Sequence, residues 1–382
     1  MTPQQASEKY HWCKYDPYTN TIELYLDHFM LSGLRLCEAK FYLEHLLWIK
    51  PRRVDTGQRK PWFFDFGEYI HWCLEQFYNS FKINKKPPLI DDWLGYCKHK
   101  WEMMKMDEYK NSIVKADVTK YDEVKGWEGV AGLLTQYYVF YIDMRLRVID
   151  TEITFGHNKE VFIGNINCYL DGIDKLQHLN INCYLTGRID LLVDNGYKIG
   201  PVDHKTTHKF DGFEHNNFNP HDGLTGYILA IHEILKNYSH ENVPIAQCKG
   251  GWIFHISACT PSTPRDKMKQ QGPRFKTTPI DKTTSQLEDF KARQLSSFKR
   301  VAELLFNDDK VPEWNTTACN NIFFRQCEYK PIHEQPSEQW IDMINRFYTI
   351  SSPWDTREHS NKETVTDAIS AGRSETNSTE SK

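Results

Sequence analysis

The sequence predicts a fold in which helices cover a sheet, and four stretches predict it. Asn195-Gly196, the strongest short signal for a two-residue hairpin turn, sits between two apolar-rich runs within Leu185–Thr207. Phe66–Phe81 carries Ile70, Leu74, Phe77 and Phe81 on one helical stripe, and Thr284–Phe306 does the same with Leu287, Phe290, Leu295, Phe298, Val301 and Leu305. Gly251–Ala258 (GWIFHISA) reads as a further strand.

At 382 residues, with 40% hydrophobic and 14% aromatic content, the chain can bury a large core, in one elaborated domain or two. A net charge of −4 gives no general signal for a polyanionic partner, so any such contact must come from local basic patches. Two loops qualify, and each reads equally well as ordinary solvated charge. Lys50–Lys60 holds Lys50, Arg52, Arg53, Arg59 and Lys60 against Asp55; Pro261–Lys276 holds Arg265, Lys267, Lys269, Arg274 and Lys276 against Asp266. Ten scattered cysteines without a secretory apolar region at the start point to a reducing cytoplasm, and no apolar run is long enough to span a membrane.

The chemistry concentrates in the hairpin. A two-residue turn pairs Asp194 with Tyr197 and sets Asp190 opposite Pro201. Side-chain alternation then puts Asp190, Asp203 and Lys205 on one face, with Ile189, Leu191, Val193 and Val202 on the other. A bulge at Gly200-Pro201 would reverse that parity on the second strand. Two clustered carboxylates repel unless a cation sits between them, and hard oxygen ligands suit Mg²⁺ or Mn²⁺. A surface hairpin with a routine Asp–Lys ion pair is the competing reading of the same residues.

Asp190, followed after the hairpin by Asp203-His204-Lys205-Thr206-Thr207, resembles the GxxD…DxKT signature of the PD-(D/E)XK nuclease superfamily. The closest resemblance is to its RecB-like branch, which includes RecB and AddB nuclease domains, CRISPR-associated RecB-like nucleases and phage proteins. Gly67-Glu68-Tyr69-Ile70-His71 resembles the GxxxH pattern by which a helix in that branch brings a histidine to the metal. Gly223-Leu224-Thr225-Gly226-Tyr227 keeps the tyrosine of the branch's QxxxY pattern but has Gly223 in place of the glutamine. The resemblance runs from about residue 31 to about residue 333. It implies a restriction-endonuclease-like αβββαβ core with a mixed central sheet, elaborated by helical insertions. It also implies Mg²⁺- or Mn²⁺-dependent hydrolysis of DNA, with His71, Asp190, Asp203 and the backbone carbonyl of His204 as metal ligands. Asp190, Asp203, Lys205 and Tyr227 are the implied catalytic set. The His204 side chain is expected to point away.

Cys37 falls on the cysteine of the branch's N-terminal pattern, and Cys319 and Cys327 on its C-terminal cluster, where His333 stands at the last position. In cluster-bearing members these positions hold [4Fe–4S]; three Cys and one His also suit structural Zn²⁺, and a site with no metal accounts for the substitution equally well. DNA, as single strands or duplex ends, is the implied partner, with an exonuclease preferred to an endonuclease and a helicase or recombinase as a possible deliverer. The implied setting is recombination, repair or phage genome processing in the cytoplasm. The alternative is an inactive nuclease-fold module that binds nucleic acid or a recombination partner.

The remaining chain reads as support. Residues 1–30 form an N-terminal arm, and 31–354 the nuclease domain. Leu31–Trp48 reads as one helix capped by Ser32. Pro87-Pro88 breaks the chain before a helical insertion at about 90–148. Thr151–Phe155, Glu160–Leu170 and Asn180–Tyr184 are strands leading into the hairpin; Glu152 has two readings, facing the metal site or facing solvent, and the second is preferred. His208–His221 is a polar loop whose histidines have no recognised ligand spacing. Leu224–Leu235 is a helix and Gln335–Trp354 a closing one. Residues 355–382, nearly devoid of apolar side chains, should be disordered.

Overall fold

The computed structural model describes residues 1–51, 62–104, 106, 126–171, 176–207, 222–237, 249–257, 275–307, 310–321 and 327–350. Its strands are β1 (Cys13–Asp16), β2 (Thr21–Asp27), β3 (Ile49–Pro51), β4 (Arg147–Phe155), β5 (Phe162–Asp171), β6 (Leu176–Asp194), β7 (Ile199–Thr207), β8 (Gly250–Ser257), β9 (Phe275–Asp281) and β10 (Tyr348–Ile350). The helices used below are α1 (Pro3–Lys9), α2 (His28–Leu36), α3 (Glu38–Phe41), α4 (Trp62–Asn84), α5 (Ile90–Met103), α6 (Gly126–Met144), α7 (Asp222–Asn237), α8 (Thr284–Phe306), α9 (Thr316–Asn321), α10 (Lys330–His333) and α11 (Trp340–Phe347).

Eight strands form one mixed sheet around β6. The first half of β6 pairs antiparallel with β5 and parallel with β2; the second half pairs antiparallel with β4 and β7. The changeover falls at Thr186, opposite Asp27, and Gly187, opposite Phe155. A Cβ on Gly187 would come within 2.7 Å of the Phe155 ring, so any side chain there forces that ring to move. β8 then adds parallel to β7, and β9 antiparallel to β8.

Two helical layers bury the two faces. On one, Phe66, Ile70, Phe77, Trp93 and Trp101 from α4 and α5 pack with Leu191, Val193, Val202, Phe254 and Ile256. On the other, α2, α7 and α8 bring Leu31, Leu224, Ile228, Phe290 and Phe298 against Leu185, Leu192 and Ile253. α8 occupies its predicted range and begins with a capping box between Thr283 and Gln286.

Several expectations are corrected. Within the N-terminal arm expected over residues 1–30, α1 leads into the β1–β2 hairpin, and β2 joins the sheet beside β6 as one of its strands. The helix expected over 31–48 begins earlier and breaks. Asp27, not Ser32, caps α2, its Oδ1 accepting from the Met30 N–H at 2.8 Å. Cys37 is extended, because Glu38 is gripped by Arg300 at 2.8 and 2.7 Å and the Ala39 N–H donates to Glu313 O at 3.0 Å. α3 and a π-helical turn over Tyr42–Leu46 follow. The basic loop expected through Lys276 gives way to β9 at Phe275. The closing helix is short, and the chain after it forms β10, which pairs with β3.

Arg52, Arg53, Arg59 and Lys60, the loop 208–221, Arg265, Lys267, Lys269 and Arg274, and the tail 355–382 lie outside the described residues. No helix among the described residues is long and apolar enough to cross a membrane.

Candidate active site

The hairpin turn is longer than its Asn-Gly signature suggests. Asp194 pairs with Ile199 and Leu192 with Pro201, leaving Asn195–Lys198 as the loop. The Asn195 side chain causes this: its Oδ1 accepts from the N–H groups of Tyr197 at 3.0 Å and Lys198 at 2.9 Å. The ladder shifts by two residues, which preserves side-chain parity, and it runs without a bulge through Gly200-Pro201. Beyond the last pair, Leu191 with Val202, the register sets Asp190 opposite Asp203.

Asp190 is held from three sides. Its Oδ2 accepts from the His204 backbone N–H at 3.0 Å and lies 3.4 Å from His71 Nδ1 and 3.6 Å from His204 Nδ1. Burial pushes its pKa up, but the imidazoles of His71 and His204 outweigh this and hold the carboxyl below its ordinary value. His71 reaches it from α4. One turn earlier, Gly67 lets that helix approach β7, since a Cβ there would lie 3.2 Å from Thr206 Oγ1. Asp203 is buried, 2.9 Å from Lys205 Nζ. Burial works against the ammonium, yet Asp203 and Asp190 more than offset it and raise the Lys205 pKa.

The expectation that the His204 side chain points away is corrected. Its ring is buried under Asp190, with Nε2 3.2 Å from Tyr137 Oη and 3.4 Å from Tyr78 Oη, and those two hydroxyls also bond each other. Burial lowers the His204 pKa against the pull of Asp190.

Glu152 is also corrected. The pairs Thr151–Leu191 and Ile153–Ile189 bracket it, so it stands opposite Asp190 rather than in solvent. Its backbone is left-handed, φ 49°, and its Oε2 is buried without a hydrogen-bond partner, although Arg188 Nε lies 2.9 Å away as an ion pair. Burial, with the charges of Asp190 and Glu75, pushes its pKa up to about 8 against the opposing Arg188. Glu152, Arg188, Tyr78 and Tyr137 are the neighbours that sequence reasoning did not place at the site.

Tyr227 is buried, with its ring edge-on to His28 at 5.6 Å and to Phe155 at 6.2 Å. Burial, then the charges of Asp203, Asp190 and Asp27, raise its pKa well above the ordinary value, so the phenol stays protonated. Gly223 lies at the start of α7.

Among the described residues, no three His, Cys, Asp or Glu side chains close into a cation cage: Asp190 turns to His71 and His204, and Asp203 to Lys205. The donor set nonetheless fits a hard divalent ion. Asp190 and Asp203 stand opposite each other in the register, His71 lies 3.4 Å from Asp190, and the buried Glu152 Oε2 has no hydrogen-bond partner beside its ion pair with Arg188.

Cys37, Cys319 and Cys327 are buried free thiols. Burial and the neighbouring thiols of Cys327 and Cys37 push the Cys319 pKa up to about 12, so these three lie close together. His333 stacks flat on Trp314, ring centres 4.3 Å apart and 3° from parallel.

Among curated proteins none matches the sequence. The solved structures that match include the crystal structure of SSO0001, at 10% identity over 59% of this chain and 85% of that one; its TM-score of 0.18 is too low to bear on the fold. The family model of the PD-(D/E)XK nuclease superfamily matches residues 30–332. That match covers most of the chain and takes in six of the eight strands of the mixed sheet, with the opposed acids among them; the chain belongs to the PD-(D/E)XK nuclease superfamily.

Proposed function

We propose that this protein is a RecB-like, divalent-metal-dependent deoxyribonuclease, in which His71, Asp190, Asp203 and the backbone carbonyl of His204 hold Mg²⁺ or Mn²⁺. The observation behind this reading is the opposition of Asp190 and Asp203 across β6 and β7, with Lys205 2.9 Å from one and His71 3.4 Å from the other. A cation bound there supplies an activated water at neutral pH and neutralises charge on a phosphoryl oxygen.

The side chains do the rest. Lys205 stays protonated and carries donors that orient the attacking water and stabilise the charge developing on the phosphoryl oxygens. Asp203 fixes that ammonium. The His204 N–H fixes Asp190, and the Tyr78–Tyr137 pair fixes His204. The water oxygen bonds to phosphorus as the bond to the 3′ oxygen breaks in line. A proton reaches the leaving oxygen, giving a 3′-hydroxyl and a 5′-phosphate. Tyr227, protonated beside the two acids, positions the strand.

Exonucleolytic attack on DNA ends or single strands, in recombination, repair or phage genome processing, completes the reading; a helicase or recombinase would deliver the DNA. Incubation of linear, circular and single-stranded DNA with Mn²⁺ tests it. Wild type should degrade linear and single-stranded DNA and spare circles, and Asp190→Ala should degrade none. Gly223 in place of the branch's glutamine favours a second reading, an inactive module, which predicts DNA binding without cleavage under either cation. A structural metal at Cys37, Cys319, Cys327 and His333 belongs to the same proposal. Iron and zinc near zero after anaerobic purification would remove it.

A further inference from the structure

A pocket of about 390 Å³ opens on β2 and β6, away from the carboxylate pair. That volume lies in the range of small-ligand sites, ~300–1,000 Å³. Trp12 and Tyr25, each 3% exposed, and Thr186, 4% exposed, make its floor, whereas Phe29 on its rim is 68% exposed. The His157 ring lies 20° from parallel with Tyr25, centres 6.4 Å apart. Asp27 and Thr186, paired in the β2–β6 ladder, add polar atoms to these flat apolar surfaces. Planar aromatic walls with a few hydrogen-bonding atoms suit a heteroaromatic ring. Glu44 lies within electrostatic reach of Lys50 and Asp27 adds a second carboxyl to the lining, so it suits a phosphate poorly.

Strand alternation ties this pocket to the acids. Thr186, Arg188 and Asp190 share one face of β6, and four residues of strand span about 13 Å, at ~3.3 Å per residue. Successive phosphates of one strand lie ~3.4 Å apart along a duplex axis, and farther apart in an extended chain. The pocket therefore stands a few nucleotides from a phosphate seated at Asp190. Arg188 lies between, 42% exposed at its side chain.

We propose that this pocket receives one nucleobase of a single-stranded segment, stacked against Phe29 and His157, while Arg188 contacts the phosphate between it and the bond to be cut. The inference rests on the reading of the chain as a nuclease. It adds a base subsite that grips the strand without reading much sequence, because every base offers a π-face.

The test uses full-length protein in EDTA and a single-stranded DNA oligonucleotide carrying 2-aminopurine at one position at a time. The fluorescence change should peak at one position, a few nucleotides from the bond that wild type cuts once Mn²⁺ is added. Phe29→Ala and His157→Ala should weaken binding about tenfold and flatten that peak. Their kcat at saturating DNA should hold while KM rises, and their melting curves should match wild type. A flat profile, or variants that bind as wild type does, overturns the subsite even where cleavage is intact. A peak that the variants abolish, in a protein that cuts no DNA with Mg²⁺ or Mn²⁺, keeps the subsite and sinks the nuclease reading instead.

Discussion

Glu152 faces Asp190 directly across the β4–β6 ladder, so two carboxyl groups share one partly buried spot. With its pKa raised from 4.5 to about 8, Glu152 favours the folded state fully only below its unfolded value, and that contribution is lost as pH rises through 8. In metal-free protein, Glu152→Gln should therefore leave the melting temperature near pH 4.5 almost unchanged. At pH 8.5 it should add on the order of 2 kcal/mol, after discounting for relaxation around Arg188. Thermal melts in EDTA at the two pH values check this. Mn²⁺ should stabilise wild type more than the variant at pH 8.5.

Lys205→Ala should lower DNA cleavage by at least about 100-fold, the effect of removing one preorganised donor. It removes a cation that neutralises Asp203, so Mn²⁺ binding measured by calorimetry should persist or tighten. Residual cleavage close to that of wild type would exclude Lys205 from the chemistry.

Gly67 sets how near α4, and hence His71, comes to β7. Alanine there gains helix propensity, ~1 kcal/mol, but presses on Thr206 Oγ1 at 3.2 Å. Gly67→Ala should be close to neutral in stability and several-fold less active. Placed on Thr206→Ala, the same change should stabilise by ~0.5–1 kcal/mol and recover activity. A double-mutant cycle by urea melts and cleavage rates reads both.

Tyr137→Phe removes a hydroxyl within reach of both Tyr78 and His204 in a closed core. It should cost ~1–3 kcal/mol in urea unfolding, the penalty for leaving a buried polar group short of a partner. It should also lower activity by loosening the ring that backs Asp190.

What was legible in the sequence follows a physical line. The two-residue error in turn length keeps the parity of the ladder, which still sets Asp190 opposite Asp203, but Ile189, expected beside Leu191, Val193 and Val202, packs in the opposite layer from those three. α4 and α8 announced themselves by apolar spacing that their packing then used. Glu152 was hidden because its position depends on the register between strands some forty residues apart, which neither strand encodes locally. The break at Cys37 was hidden for a similar reason, since Arg300 and Glu313 cause it from far along the chain. β9, FKTTPID, lacks apolar alternation and takes its place by pairing with β8. β2 was a missed signal: Ile22, Leu24 and Leu26 alternate in plain view, and all three are buried.

The changeover of partners along β6 has a mechanical meaning. Thr186 belongs to the half-sheet shared with β2, and Asp190 to the half-sheet shared with β4 and β7, so the short run of backbone between them sets the spacing from the proposed base subsite to the proposed metal site. Gly187 sits at that join. A methyl group there would press on the Phe155 ring, and on the proposed reading it should move the cleaved bond along the strand while the proposed metal ligands stay the same.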